Sequence, residues 1–207
     1  YEMALGLAIV AGVLIFGSID LVEIISKQNG PLTFVWGATK YQIDWLPNWG
    51  IFFQPIGFII FFAAAFAESN RLPFDLPESE GELVAGFHTE YGGFKMLLFF
   101  MGEYGHMMVS SALLTIFYFG GYSIPFLREV AVRDLIANLV GAGNLANILT
   151  AAIFLISMVF KIGIFLWIFI WVRWTLPRFR YDHLMDLGWK TMLPWSLANV
   201  VVTATIM

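Results

Sequence analysis

Apolar residues gather in five long runs, at about residues 3–25, 49–67, 96–120, 148–172 and 190–207. Each run comes close to the roughly 20 residues that carry an α-helix across a hydrocarbon layer of about 30 Å. Sustained alternation of apolar and polar positions, the mark of a membrane β-barrel, is missing. The pattern therefore predicts an all-α, polytopic transmembrane helical bundle of about five spans, forming a single transmembrane domain over residues 1–207. No internal repeat is visible, so the inverted-repeat plan of many secondary transporters is not read here.

Four polar connections separate the runs. The first carries Gly30-Pro31 together with Trp36, Trp45 and Trp49, residues suited to a membrane interface. The second, residues 68–95, holds most of the acids. The third contains Arg128, Arg133 and a stretch of glycine and asparagine. The fourth contains Arg173, Arg178 and Arg180. Alternating spans place the second and fourth connections on one side. Counting Lys190, that side carries Arg71, Lys95, Arg173, Arg178, Arg180 and Lys190. The other carries Lys27, Lys40, Arg128 and Arg133. The positive-inside rule then puts the acidic connection in the cytoplasm, or in the matrix of an organelle.

Composition agrees with the pattern. The chain is 59% hydrophobic and 13% charged, against about a quarter charged in soluble domains. Its mean hydropathy is +0.79. Net charge is −4, from 11 Lys and Arg against 15 Asp and Glu, which gives no basic surface for nucleic acid. Cysteine is absent. That excludes disulfides, Cys-ligated zinc and Cys-held iron–sulfur clusters within this chain. His88, His106 and His183 form no metal-ligand motif. Any redox cofactor is therefore expected on another subunit, or as a diffusible lipid. The chain opens on Tyr1 without a signal-peptide pattern and stops at Met207 inside an apolar run. It is read as a piece of a longer membrane protein.

The chemistry concentrates in a few places. The acidic connection holds Glu68, Asp75, Glu78, Glu80, Glu82 and Glu90, with Arg71 its sole Lys or Arg before Lys95. Pro77 suits the first turn of a short helix, on which Glu78 and Glu82 would share a face. Neighbouring like charges and partial burial both raise carboxylate pKa values, which suits proton exchange. A solvated acidic loop would show the same charges. However, Phe66, Leu72, Phe74, Leu83, Val84 and Phe87 are more large apolar groups than a wet linker needs. Glu103 lies inside the third span, with His106 at i+3 and Met96, Phe99, Phe100 and Met107 near the same stripe. Lys161 lies roughly 18 Å of helix from either end of its span, too deep to snorkel easily. It is expected to face a carboxylate, a polar cavity or another subunit, with Glu103 a possible partner by depth. Glu2 starts the first span as an interfacial charge. The run from Arg173 to His183 reads either as a lipid-headgroup anchor or as a docking surface for an acidic partner. Gly141-Ala-Gly143-Asn-Leu-Ala146 mimics a dinucleotide fingerprint, but it lacks the following acid and the βαβ setting.

The run from Glu68 to Tyr91 resembles the signature loop of the H subunit of NADH:quinone oxidoreductase. That complex is respiratory complex I, and in mitochondria the corresponding protein is called NADH dehydrogenase subunit 1. Phe99-Phe-Met-Gly-Glu103-Tyr104, Pro177-Arg-Phe-Arg180-Tyr-Asp182 with Trp189-Lys190, and the Tyr1-Glu2 start resemble the same family, in order along the whole chain.

The resemblance implies the last five of about eight helices, with the acidic loop lining a quinone cavity. Glu2, Glu78, Glu80, Glu82, Glu90 and Glu103 become candidates for proton coupling, and Lys161 is added to them on account of its depth. Arg71, Asp75, Phe99 and Phe100 become candidates for the cavity wall, and Arg178, Arg180 and Asp182 for subunit docking. Quinone would be the substrate, with no cofactor or metal bound by this chain. NADH, FMN and iron–sulfur clusters would belong to partner subunits. Peripheral quinone-module subunits, adjacent membrane subunits and the bilayer would be the partners. The location would be a bacterial plasma membrane or the mitochondrial inner membrane. Three rivals remain at this point: the equivalent anchor of a membrane-bound hydrogenase-type complex, a stand-alone ion or solute transporter, and a purely structural membrane anchor.

Overall fold

The computed structural model describes residues 1–36, 39–75, 92–125, 127, 129–141 and 143–206. Helices α1 (Glu2–Phe16) and α2 (Leu21–Gln28) are followed by strands β1 (Pro31–Trp36) and β2 (Thr39–Pro47). Next come α3 (Gly50–Phe53), α4 (Pro55–Glu68), α5 (Phe94–Tyr118) and α6 (Glu129–Val140). The chain continues through α7 (Asn144–Thr175), α8 (Tyr181–Asp186), a π-helical stretch (Leu187–Met192) and α9 (Leu193–Ile206). Among the described residues, α5 and α7 are long and apolar enough to cross a membrane. The pair α1 and α2 qualifies as a bent third.

Each of the five apolar runs contains helix, but three differ in detail from the expected continuous spans. The first is broken. Gly17 ends α1 in the left-handed region, with φ 59°, and Asp20 restarts the chain by accepting a hydrogen bond from the Val22 amide at 3.0 Å. The two helices meet at 60°. Lys27 reaches back from α2 and donates to the Phe16 carbonyl at 2.6 Å, satisfying an end of α1. The second run breaks at Gln54, because Pro55 opens α4 and carries no amide hydrogen. The last begins in the π-helical stretch ahead of α9.

Two connections hold more structure than expected. The segment read as a loop before residue 49 forms an antiparallel hairpin, in which Val35 pairs with Lys40 and Trp36 with Thr39. Leu-Thr-Phe-Val-Trp is rich in strand formers, and two strands are too few for a period to stand out. The third connection contains α6, which packs on α7 through Val132 and Ile136 against Ala146.

The core is built on close backbone approach and aromatic contact. α1 packs on α4 and α9 with Ala4, Ala8, Ala11 and Gly12 buried, small residues that let helices come near each other. Phe66 stacks on Phe169 with ring centroids 4.2 Å apart, joining α4 to α7. Gln28, 1% exposed, ties three elements together. It donates to the Ile116 carbonyl at 2.8 Å and accepts from the Gly50 amide at 3.2 Å.

Candidate functional site

The site grows from the way α4 ends. Asn70 takes a left-handed conformation, φ 47°, which asparagine tolerates better than most residues. The Arg71 amide then bonds back to the Phe66 carbonyl at 3.3 Å, a helix-ending pattern that turns the chain sharply. That turn carries Arg71 inward, to 5% exposure. Its Nε lies 3.2 Å from Glu103 Oε1 on α5. Its guanidinium also lies over the Tyr104 ring, 4.6 Å from the centroid. One buried cation is thus held by two successive residues of another helix.

A second polar pair lies alongside. His106 Nε2 is 3.7 Å from Glu68 Oε1, an ion pair only when the imidazole is protonated. Glu68 Oε2, His106 Nε2, and Arg71 Nε and Nη2 are all buried without a hydrogen bond to described residues. Polar groups in that state are ready to take new partners. Beside them, a cavity of about 550 Å³ is lined by Arg71, Leu72, Tyr104, Met107, Phe169 and Arg173, among others. Its size and mixed lining are those of a small-molecule site.

This end of the bundle is stitched together by the two connections that the charge count placed on one side. The Phe179 amide donates to the Pro73 carbonyl at 3.1 Å, and the Phe74 and Phe179 rings meet at 5.7 Å. Tyr1 joins them, donating to the Leu184 carbonyl at 2.5 Å and packing on Phe74 at 5.6 Å.

The sequence-predicted residues are distributed unevenly about this centre. Arg71, on the turn after α4, and Glu103, on α5, come together, and Asp75 is buried four residues after Arg71. Glu2 is exposed in the first turn of α1. Phe99 and Phe100 are exposed on α5 and are not among the residues that line the cavity. Arg178, Arg180 and Asp182 are exposed around the start of α8. Glu78, Glu80, Glu82 and Glu90 lie outside the described residues.

Lys161 departs from its expected pairing. Glu103 meets Arg71, whereas the Lys161 ammonium donates to the carbonyls of Phe119, Gly121 and Ser123 at 2.8, 2.9 and 2.6 Å. The physical reason is depth. α5 ends level with the middle of α7, so the carbonyls of the turn that follows it, not a carboxylate, need a donor there. The sequence names Glu68 and Tyr104 only as members of the acidic connection and of the family-like motifs, without a site role. The i, i+3 spacing of Glu68 and Arg71 across a predicted helix end is the signal that points to Glu68.

Apolar helices packed through small residues, with an ion pair buried between two of them, define an integral membrane protein of the polytopic helical class. A family profile described as NADH dehydrogenase matches residues 1–204, and by that match the chain belongs to the NADH dehydrogenase family. The chain is 56% identical over its whole length to the NADH-quinone oxidoreductase H subunit of Bdellovibrio bacteriovorus, covering 54% of that protein. It is 43% identical over 98% of its length to one such H subunit of Cytophaga hutchinsonii, covering 51%. It is 45% identical over its whole length to the corresponding protein of Leptospira biflexa, covering 49%. The chain spans about half the length of the curated relatives it matches.

Proposed function

We propose that this chain is part of a membrane-arm subunit of a proton-translocating NADH:quinone oxidoreductase, where it helps form the quinone cavity and couples quinone reduction to proton movement. The observation that carries this reading is the buried Arg71–Glu103 pair beside the 550 Å³ cavity. A buried arginine paired with a partly buried carboxylate among apolar helices is costly, and a functional role is the default explanation. Partner subunits would supply electrons from NADH through FMN and iron–sulfur centres. The protein would reside in a bacterial plasma membrane, as the relatives' bacterial sources suggest, with the mitochondrial inner membrane the eukaryotic counterpart.

In this reading a quinone head group enters near Arg71 and Tyr104. Reducing it requires protons as well as electrons, and protonating the quinone changes the charge that nearby carboxylates sense. Glu78, Glu80, Glu82 and Glu90 are the responsive acids of the connecting loop, and Asp75 borders them. Glu103 passes the change inward by exchanging its Arg71 contact, with His106 and Glu68 one turn away to take up charge. Glu2 stands at the same end of the bundle. Lys161 acts as a fixed positive charge deeper in the bundle. Arg178, Arg180 and Asp182, exposed beside this end, form the docking rim for peripheral subunits.

The test is to place Glu80→Gln, Glu82→Gln and Glu103→Gln singly in the full-length protein within the intact complex. Quinone reduction and proton pumping are then measured together in proteoliposomes. The reading expects pumping to fall in each variant while the complex still assembles. Parent-level quinone reduction and pumping in all three variants would refute it.

A further inference from the structure

We propose that the carbonyl oxygens of Phe119, Gly121 and Ser123, together with the face of Trp49, form a monovalent-cation site inside the bundle, and that the Lys161 ammonium is its tethered occupant. The backbone builds this site. After α5 ends at Tyr118, Gly120 and Gly121 both take positive φ, 70° and 53°. At either position a side chain would be strained by the backbone and would displace a neighbouring side chain. A Cβ on Gly120 would lie 2.6 Å from Ser123 Oγ, and one on Gly121 would lie 2.5 Å from Ile25 Cδ1. The chain is thereby folded so tightly that three carbonyls from five consecutive residues converge on one point.

Gly120, Gly121 and Ser123 are buried. The carbonyls of Phe119, Gly121 and Ser123 lie just past the end of α5, outside its hydrogen-bond ladder, and in apolar surroundings each needs a donor. The Lys161 Nζ meets all three at 2.6–2.9 Å, and an ammonium carries three N–H donors to match. Its fourth neighbour is the Trp49 ring, 5.4 Å to the centroid, which attracts a cation through its π face. Carbonyls and indole are neutral, and the C-terminal end of the α5 dipole favours positive charge at this point. Converging carbonyl oxygens are the chemistry by which channel filters hold dehydrated monovalent cations. Lys161 projects from the middle of α7, so its charge fastens α7 to the end of the helix that carries Glu103 and Tyr104.

The experiment uses the full-length protein in the intact complex. Its readouts are the amount of assembled complex and the temperature at which that complex dissociates. Neither depends on quinone chemistry, so the outcome is separable from that of the functional reading. Lys161→Met keeps the volume without the charge, and Lys161→Ala opens the site. Cells are grown, and the complex purified, with methylammonium or with tetramethylammonium, which has no N–H to donate. The neutral methylamine crosses lipid and can protonate in place.

Lys161→Met is expected to lower both readouts. Lys161→Ala is expected to recover toward parent levels with methylammonium and not with tetramethylammonium, with the parent complex unchanged by either. Parent-level behaviour of Lys161→Met would overturn the proposal, because charge would then be dispensable. Failure of methylammonium to restore Lys161→Ala would overturn it as well, even if that variant does not assemble without the amine.

Discussion

Arg71 on the turn after α4 and Glu103 inside α5 meet at 3.2 Å, with the arginine side chain 6% exposed and the carboxylate 25%. Removing one member leaves the other's charge in an apolar setting, which costs about 3 kcal/mol for a buried pair. Arg71→Met alone and Glu103→Leu alone should each lower the dissociation temperature of the assembled complex. The double variant should be less damaged than the sum of the two, because no charge is left stranded. A double-mutant cycle on thermal dissociation checks this, and strict additivity would show that the pair contributes no coupling.

The Glu68–His106 contact should behave differently. At 3.7 Å, and with side chains 26% and 35% exposed, it is a weaker interaction. Its coupling energy is expected below about 1 kcal/mol, in the range of partly solvated pairs. The cycle of Glu68→Gln, His106→Gln and the double variant measures it by the same thermal readout. A coupling as large as that of Arg71 and Glu103 would contradict this ranking.

Gln28 offers a cleaner stability test, since it is a buried, uncharged amide joining α2, α3 and α5. Gln28→Leu keeps the approximate volume but strands the Ile116 carbonyl and the Gly50 amide. Leaving two buried polar groups unpaired should cost about 3 kcal/mol. The expected result is a clear fall in assembled complex after heat challenge, with no comparable loss for Val10→Ala on the exposed face of α1.

Gly50→Ala should be more severe than its single added carbon suggests. A Cβ at this position would collide with the backbone carbonyl of Phe117, which cannot rotate out of the way. Gly6→Ala, where a Cβ meets nothing within 4 Å, is the matched control. Assembly of the complex should drop sharply for Gly50→Ala and stay at the parent level for Gly6→Ala, as read by native electrophoresis.

Much of the fold was legible along the chain because its signals are local. Runs of apolar residues specify helices in lipid, since every backbone group must find its partner within the segment. Glycine and proline mark where those helices stop. Gly17 and Pro55 do so here, yet each sits inside an apolar run, so hydropathy alone joins what the backbone separates. The hairpin escaped notice because its strands are short and its pattern brief. α6 escaped because it lies in a polar, glycine-bearing connection that hydropathy assigns to solvent.

The sequence by itself determined the class of protein and the family, and it named the charged residues as candidates, because composition and motif spacing are properties of the chain alone. Which charges meet was decided only by tertiary structure. Arg71 and Lys161 are both cations near apolar helices, and nothing local assigns Glu103 to one or the other. The left-handed turn at Asn70 brings Arg71 to Glu103, and the early end of α5 presents carbonyls at the depth of Lys161. Both outcomes depend on how far each helix runs before it stops and how its neighbours are tilted. Those are distances between elements, and no stretch of the chain records them.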